Sequence, residues 1–137
     1  MRKSLDFLKT DSFQCDVVWV IYGDMFYCQL SDREIEKIKL IGVEVPKLVE
    51  EKATGFTKSL LKRGTLVKLE FDKETRDSYG HILAYVYLPG GKMLNSLLIG
   101  EGYAQVVINS SDVRYKDLFL NLQKEAKEQG KGLWGIK

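Results

Sequence analysis

Apolar and polar residues change period several times along the chain, and each change marks an element. In "DVVWVIYGDMFYCQL" Val18, Val20 and Tyr22 alternate with Val17, Trp19 and Ile21, the two-residue period of a strand. Gly23 and Asp24 interrupt the run and "MFYCQL" resumes it, which predicts a β-hairpin. After the turn "SDRE", the stretch "IEKIKLIGVE" predicts a third strand, with Ile38 and Leu40 on one face and Lys37 and Lys39 on the other. Val45 precedes Pro46, so the strand is expected to end there. The period then lengthens. Val49, Ala53, Phe56 and Leu60 form one stripe of a helix, with Lys62 and Arg63 at its negative end and Gly64 as its stop.

"TLVKLEF" and "HILAYVYL" alternate as strands on either side of the polar turn "DKETRDSYG", with Ile82, Ala84, Val86 and Leu88 on one face of the second. "PGG" turns the chain, "MLNSLLIGEG" reads as a short helix closed by glycine, and "YAQVV" as a brief strand. A last helix is expected after Ser111 or Asp112 as N-cap, burying Tyr115, Leu118, Phe119, Leu122 and Ala126 and ending at Gly130. The apolar tail "GLWGI" is expected to pack back on the body. Five main strands with a helix after the third suit an α+β, mainly β fold: a five-stranded OB-type Greek-key barrel with three helices. An open α+β sheet is the alternative.

Composition narrows the classes. A chain of 137 residues, 45% hydrophobic and 29% charged, fits one globular domain over 1–137, with residues 1–12 as an N-terminal extension. A chain of this length needs no disulfide to fold. Cys15 and Cys28 lie in apolar runs and read as two small buried residues. With no CxxC and no Cys/His cluster, a zinc site is not expected. The first residues carry charges and no apolar core, so they do not form a secretory signal, and no run is long enough to span a membrane. A cytoplasmic location without membrane contact is expected. The net charge of +2 is small for a protein living on phosphate contacts, yet allows a local basic patch.

Several stretches, taken together, resemble the staphylococcal nuclease (thermonuclease) family. They are "VIYGDM", "KLIGVEVPK", "RDSYGHILAYVYL", "NSLLIGEGYAQVV" and "EAKEQGKGLW", in the family's order and spacing from about Val17 to Trp134. The resemblance implies a five-stranded OB barrel with three helices. It also implies the ancestry of a calcium-dependent phosphodiesterase, in which two aspartates and a backbone carbonyl hold the ion, a glutamate activates water, and two arginines grip the phosphate.

Carried over by position, Asp24 keeps the first aspartate of the family's metal site. Glu44 stands for the second, and Val45 supplies the carbonyl. The three catalytic positions are substituted: Lys39 and His81 replace the arginines and Lys47 replaces the glutamate. Lysine lacks the planar fork that binds phosphate bidentately. A protonated lysine cannot take a proton from water and repels a cation, and a histidine with its ordinary pKa near ~6.5 is mostly neutral at pH 7. Met25 follows Asp24 where the family has a threonine, and Ile108 and Ser110 stand where later tyrosines lie beside the nucleotide. Tyr79 matches a position near the nucleotide and is a candidate for stacking on a base.

The sequence therefore predicts a family scaffold with a degenerate site. No cofactor is expected, or Ca²⁺ if the site functions. The expected partner is single-stranded nucleic acid or another protein, as for the degenerate domains of Tudor staphylococcal nuclease proteins. A weak calcium-dependent nuclease is the alternative. An ammonium at Lys47 is expected to neutralise Asp24 and Glu44 in place of an ion. The bland readings are that Asp24 only holds a hairpin turn and that His81 is a solvated or hydrogen-bonded surface residue.

Overall fold

The computed structural model describes residues 12–30, 34–109 and 114–136. The first hairpin pairs β1 (Ser12–Tyr22) with β2 (Met25–Gln29), and β2 pairs in turn with β3 (Ile35–Leu40). After a short β4 (Val43–Glu44) and a single 3₁₀ turn (Lys47–Val49) comes α1 (Glu50–Leu60). Strands β5 (Leu66–Glu70) and β6 (Ile82–Tyr87) complete a closed barrel of order β1-β2-β3-β6-β5. Helix α2 (Leu94–Gly100), β7 (Gln105–Val106), α3 (Lys116–Glu128) and a closing 3₁₀ turn (Gly132–Gly135) follow. β7 pairs with β4 as a separate two-stranded ribbon.

The alternation read from the sequence has a simple outcome. Phe26, Ile38, Leu40, Val67, Leu69, Ile82, Ala84 and Val86 are all buried, while Lys37 and Lys39 face out between them. Closure is achieved by β1, whose first residues Ser12–Asp16 pair with β5 and whose later ones pair with β2. β3 and β6 run parallel, with Ile38 opposite Ile82 and Lys39 opposite Leu83. Helix α2 lies against β6 and α3, and its buried Asn95 donates to the Ile41 carbonyl and accepts from the Val86 N–H. That one amide ties the helix to β6 and to the residue that follows β3.

Several details depart from expectation. Cys15 and Cys28 are not two unbonded residues. They form a disulfide across β1 and β2, with Cα atoms 5.8 Å apart. The two cysteines lie on the same inward face of neighbouring strands, which the sequence spacing did not display. β1 begins at Ser12, earlier than the hairpin pattern suggested, because its extra length pairs with β5. The register of β1 shifts between Val17 and Trp19 and again between Val20 and Tyr22, so strict alternation fails there.

The third strand is broken at Gly42, whose φ of 80° only glycine adopts readily and whose hydrogen faces the Phe119 ring. α1 ends at Leu60 rather than running to Gly64. Leu118 is exposed instead of buried in the stripe of α3. The expected caps Ser111 and Asp112, along with Ser110, the "SDR" of the predicted turn and residues 1–11, lie outside the described residues. Among the described residues no helix is long and apolar enough to cross a membrane.

Candidate functional site

The β1–β2 hairpin presents Asp24 at its tip, and the tip is fixed from below. Gly23 packs so closely on Ala53 of α1 that a Cβ there would stand 2.7 Å from the Ala53 methyl. Thr57 of the same helix donates its hydroxyl proton to the Gly23 carbonyl at 2.7 Å. The Asp24 carbonyl accepts from the Leu40 N–H at 3.0 Å, which ties the hairpin to β3. Asp24 is thus more than a turn residue: it is a largely buried carboxylate in a fixed place. Its Oδ2 accepts from the Lys39 Nζ at 2.9 Å, a charge-assisted bond whose two side chains are 12% and 31% exposed.

The partner of Asp24 is therefore Lys39, on the neighbouring strand, where Met25 and Lys39 are paired residues. Lys47 opens the 3₁₀ turn before α1 and is exposed, as is Glu44 on β4, while Val45 between them is half-buried. Lys39 and Glu44 line one cleft of about 480 Å³ together with Gly42, Glu74, Asp77 and Asn109, whereas Asp24, Lys47, Tyr79 and His81 are outside its lining among the described residues.

His81 and Tyr79 form a second cluster. Both are set by Asp77, whose Oδ1 accepts from the Tyr79 and His81 N–H groups at 2.9 Å each. Its Oδ2 lies 3.0 Å from the His81 Nδ1. Burial by itself would raise the Asp77 carboxyl, but the His81 and Tyr79 backbone bonds and the imidazole outweigh it and hold the group below its usual value of 3.8. The loop so formed stacks the Tyr79 ring on the His81 ring, with centroids 5.9 Å apart and 30° between planes, and leaves Tyr79 84% exposed.

Arg76, from the same "RDSYG" stretch, does not stand in for a missing phosphate-binding arginine. Its guanidinium bonds both oxygens of Glu36 at 3.0 Å and the Gly80 carbonyl, and the Glu36 bond raises its pKa.

Asp77 and Arg76 stand within the "RDSYG" stretch, whose resemblance to the family assigns neither of them a role. The signal for Asp77 was available, because an aspartate followed by Ser-Tyr-Gly is strong material for a side-chain-capped turn. A further network was missed altogether. Glu70 Oε1 accepts from the Tyr87 and Tyr115 hydroxyls, its Oε2 from Arg114, and Asp72 Oδ2 from the Tyr85 hydroxyl. Burial and the bonds to Tyr115 and Glu70 push the Tyr87 hydroxyl far above its ordinary pKa, so it stays a donor. This network fastens the start of α3 to β5 and β6. It was invisible because its members are dispersed along the chain.

Calcium takes six to eight oxygen ligands. Among the described residues no group of three or more His, Cys, Asp or Glu side chains is gathered in a way that suits an ion. The one buried carboxylate at the hairpin tip already carries an ammonium. What the arrangement offers is different: a fixed Asp24–Lys39 ion pair, lysines on the outward face of β3, and a ring pair held up by Asp77.

Comparison with known proteins agrees with the barrel. Residues 37–135 match the family model described as staphylococcal nuclease homologue. The chain is 36% identical over 124 residues to a thermonuclease of Staphylococcus intermedius, covering 84% of this chain and 72% of that one. It is 33% identical over 127 residues to a thermonuclease of Staphylococcus hyicus, covering 86% and 73%. An SPbeta prophage-derived endonuclease of Bacillus subtilis is 40% identical over 86 residues, which are 61% of this chain and 28% of that protein.

Proposed function

Because the chain belongs to the staphylococcal nuclease homologue family, we propose that it is a nucleic-acid-binding barrel in which the family's hydrolytic site is impaired. One observation carries the reading: the Asp24 carboxylate is held by the Lys39 ammonium at 2.9 Å. A metal would have to displace that ammonium, and the ammonium supplies on the spot the neutralisation a metal would bring. The substituted positions act in the same direction. Lys47 is a lysine where the family has a carboxylate base, and His81 is engaged through its Nδ1 with Asp77 Oδ2 at 3.0 Å instead of offering a guanidinium fork to a phosphate.

Loss of a phosphate-gripping arginine costs on the order of 10²–10³ in rate, and loss of the water-activating group a further ~10²–10⁴. These losses need not multiply, but either is enough to reduce a nuclease to a trace activity. The lysines and rings that remain are suited to holding a polyanion. A protein partner is the other occupant of such a surface. It is distinguished by salt, since binding through phosphates weakens steeply as salt rises. The Cys15–Cys28 bond favours an oxidising compartment over the cytoplasm expected from the sequence.

The second reading is a weak calcium-dependent phosphodiesterase. It is favoured by the retention of Asp24 and by Glu44 sharing a cleft with Lys39, and by relatives named thermonuclease and endonuclease. The test is a long incubation of single-stranded DNA and RNA with concentrated protein, with calcium and with chelator, beside Asp24→Ala. The expected result is binding without cleavage. Cleavage that needs both calcium and Asp24 would overturn the proposal and establish the second reading.

A further inference from the structure

The outward face of β1, β2 and β3 carries a row of side chains that neither the family positions nor the cleft accounts for. Trp19 on β1 is directly opposite Tyr27 on β2, and Tyr27 is directly opposite Lys37 on β3. The Lys37 Nζ lies over the Tyr27 ring at 5.5 Å. At the other end the Lys58 Nζ, from α1, lies over the Trp19 ring at 5.7 Å. The row thus reads ammonium, indole, phenol, ammonium. No carboxylate stands within it. Trp19 is 62% exposed, which is unusual for the largest apolar side chain on a strand. The shift of register between Val17 and Trp19 is what turns the indole outward while Val17 and Val20 both stay inside.

The next row on the same face contains Tyr22, Met25 and Lys39, each paired with the next across the strands. The two rows are continuous, so the ring pair adjoins the Asp24–Lys39 pair. On the α1 side, Glu50 and Glu51 line the hollow beside Tyr22 and limit the basic surface there.

The geometry points to this row as a stacking platform for single-stranded nucleic acid, an inference that rests on the proposed nucleic-acid-binding function. Bases have π-faces that stack on indole and phenol rings without regard to sequence, and the phosphates between them meet lysines. Cross-strand neighbours stand only about 4.5–5.5 Å apart, so the two rings are set to receive neighbouring bases of one strand. A base that settles on either ring displaces the ammonium from the ring face toward the phosphate that accompanies the base. A duplex keeps its base faces inside the stack and can offer only phosphates to these rings.

The experiment is a fluorescence-anisotropy titration of labelled oligothymidylate, and of a duplex of equal length, with the full chain and with Trp19→Ala, Tyr27→Ala and Trp19→Phe. Trp19→Ala and Tyr27→Ala are each expected to weaken single-strand binding about 10- to 100-fold. Trp19→Phe should stay within a few-fold of the parent, and the duplex should bind at least about 10-fold more weakly. Lys37→Ala and Lys58→Ala should each lower the slope of log K against log salt by about 0.7. Parent-like binding by both alanine variants would overturn the inference and leave the proposed function standing. Preference for the duplex would overturn the single-strand assignment. No binding of any nucleic acid by the parent would overturn both.

Discussion

Reducing the Cys15–Cys28 bond should lower the stability of the barrel by about 3 kcal/mol. The bond closes a loop with a sequence separation of 13 between its ends, and the chain-entropy relation for a loop of that size gives about 3 kcal/mol at 25 °C. Both cysteines are buried and belong to the core cluster, so the thiols released by reduction remain packed and no cavity is added. For a chain of 137 residues the unfolding entropy is roughly 0.3 kcal/mol/K, which converts the loss to a fall of about 10 °C in Tm. The assay is a pair of thermal melts with and without reductant. Alkylation and intact mass on the denatured chain establish the state of both sulfurs. Two results would refute the reasoning. One is a non-reduced chain that takes up two alkyl groups, which would mean the bond is absent. The other is melts that coincide although both thiols are shown to be free.

Other expectations follow from single contacts. Asn95→Ala strands the buried Val86 N–H and Ile41 carbonyl, at about 1–3 kcal/mol each, and denaturant titration should show a loss of about 2–5 kcal/mol; a loss under about 1 kcal/mol would mean water replaces the amide. The folded Asp77 carboxyl lies below its usual 3.8, so its contribution is fully present above about pH 3.8 and is lost as pH falls through the lower folded value. Asp77→Asn should therefore be less stable near neutrality and decline less steeply below about pH 3.8, as read from urea midpoints; a slope unchanged from the parent would contradict the assignment. Lys47→Glu alone should gain little calcium affinity by calorimetry, because Lys39 still holds Asp24, whereas Lys39→Gln with Lys47→Glu should gain clearly more. Equal affinity in the two variants would show that Lys39 does not guard the carboxylate.

The barrel was legible in the sequence because its strands obey a local rule. Ile38 and Leu40 had to face in if Lys37 and Lys39 faced out, and the structure has them so. The breaks in that rule were not legible. Nothing in "VVWVIY" announces that Val17 and Val20 share a face, because the extra residue between them only makes sense beside a partner strand. Leu118 fits the stripe of α3 by count yet is exposed. The disulfide depends on the register shifts of β1 that set Cys15 near Cys28 across the hairpin, not on spacing along the chain. At the site, Asp24 was legible as a charged residue at a hairpin tip, but its partner was expected at Lys47 and is Lys39, two positions from Lys37 on the outward face. Pairing across strands decides such matters, and a one-dimensional reading has no access to it.

The way β1 closes the barrel governs what a growing chain can do. The first two hairpins join residues that are near in sequence, so β1, β2 and β3 can assemble as soon as they are made. The remaining edge of β1 waits for Leu66–Glu70, and the free edge of β3 waits for Ile82–Tyr87. Until then the growing polypeptide carries two unpaired strand edges and an apolar face, the features by which nascent chains stick to one another. Synthesis that stalls between Leu40 and Leu66 leaves that half-barrel waiting, so slow translation of this interval should cost more soluble protein than an equal delay after Tyr87.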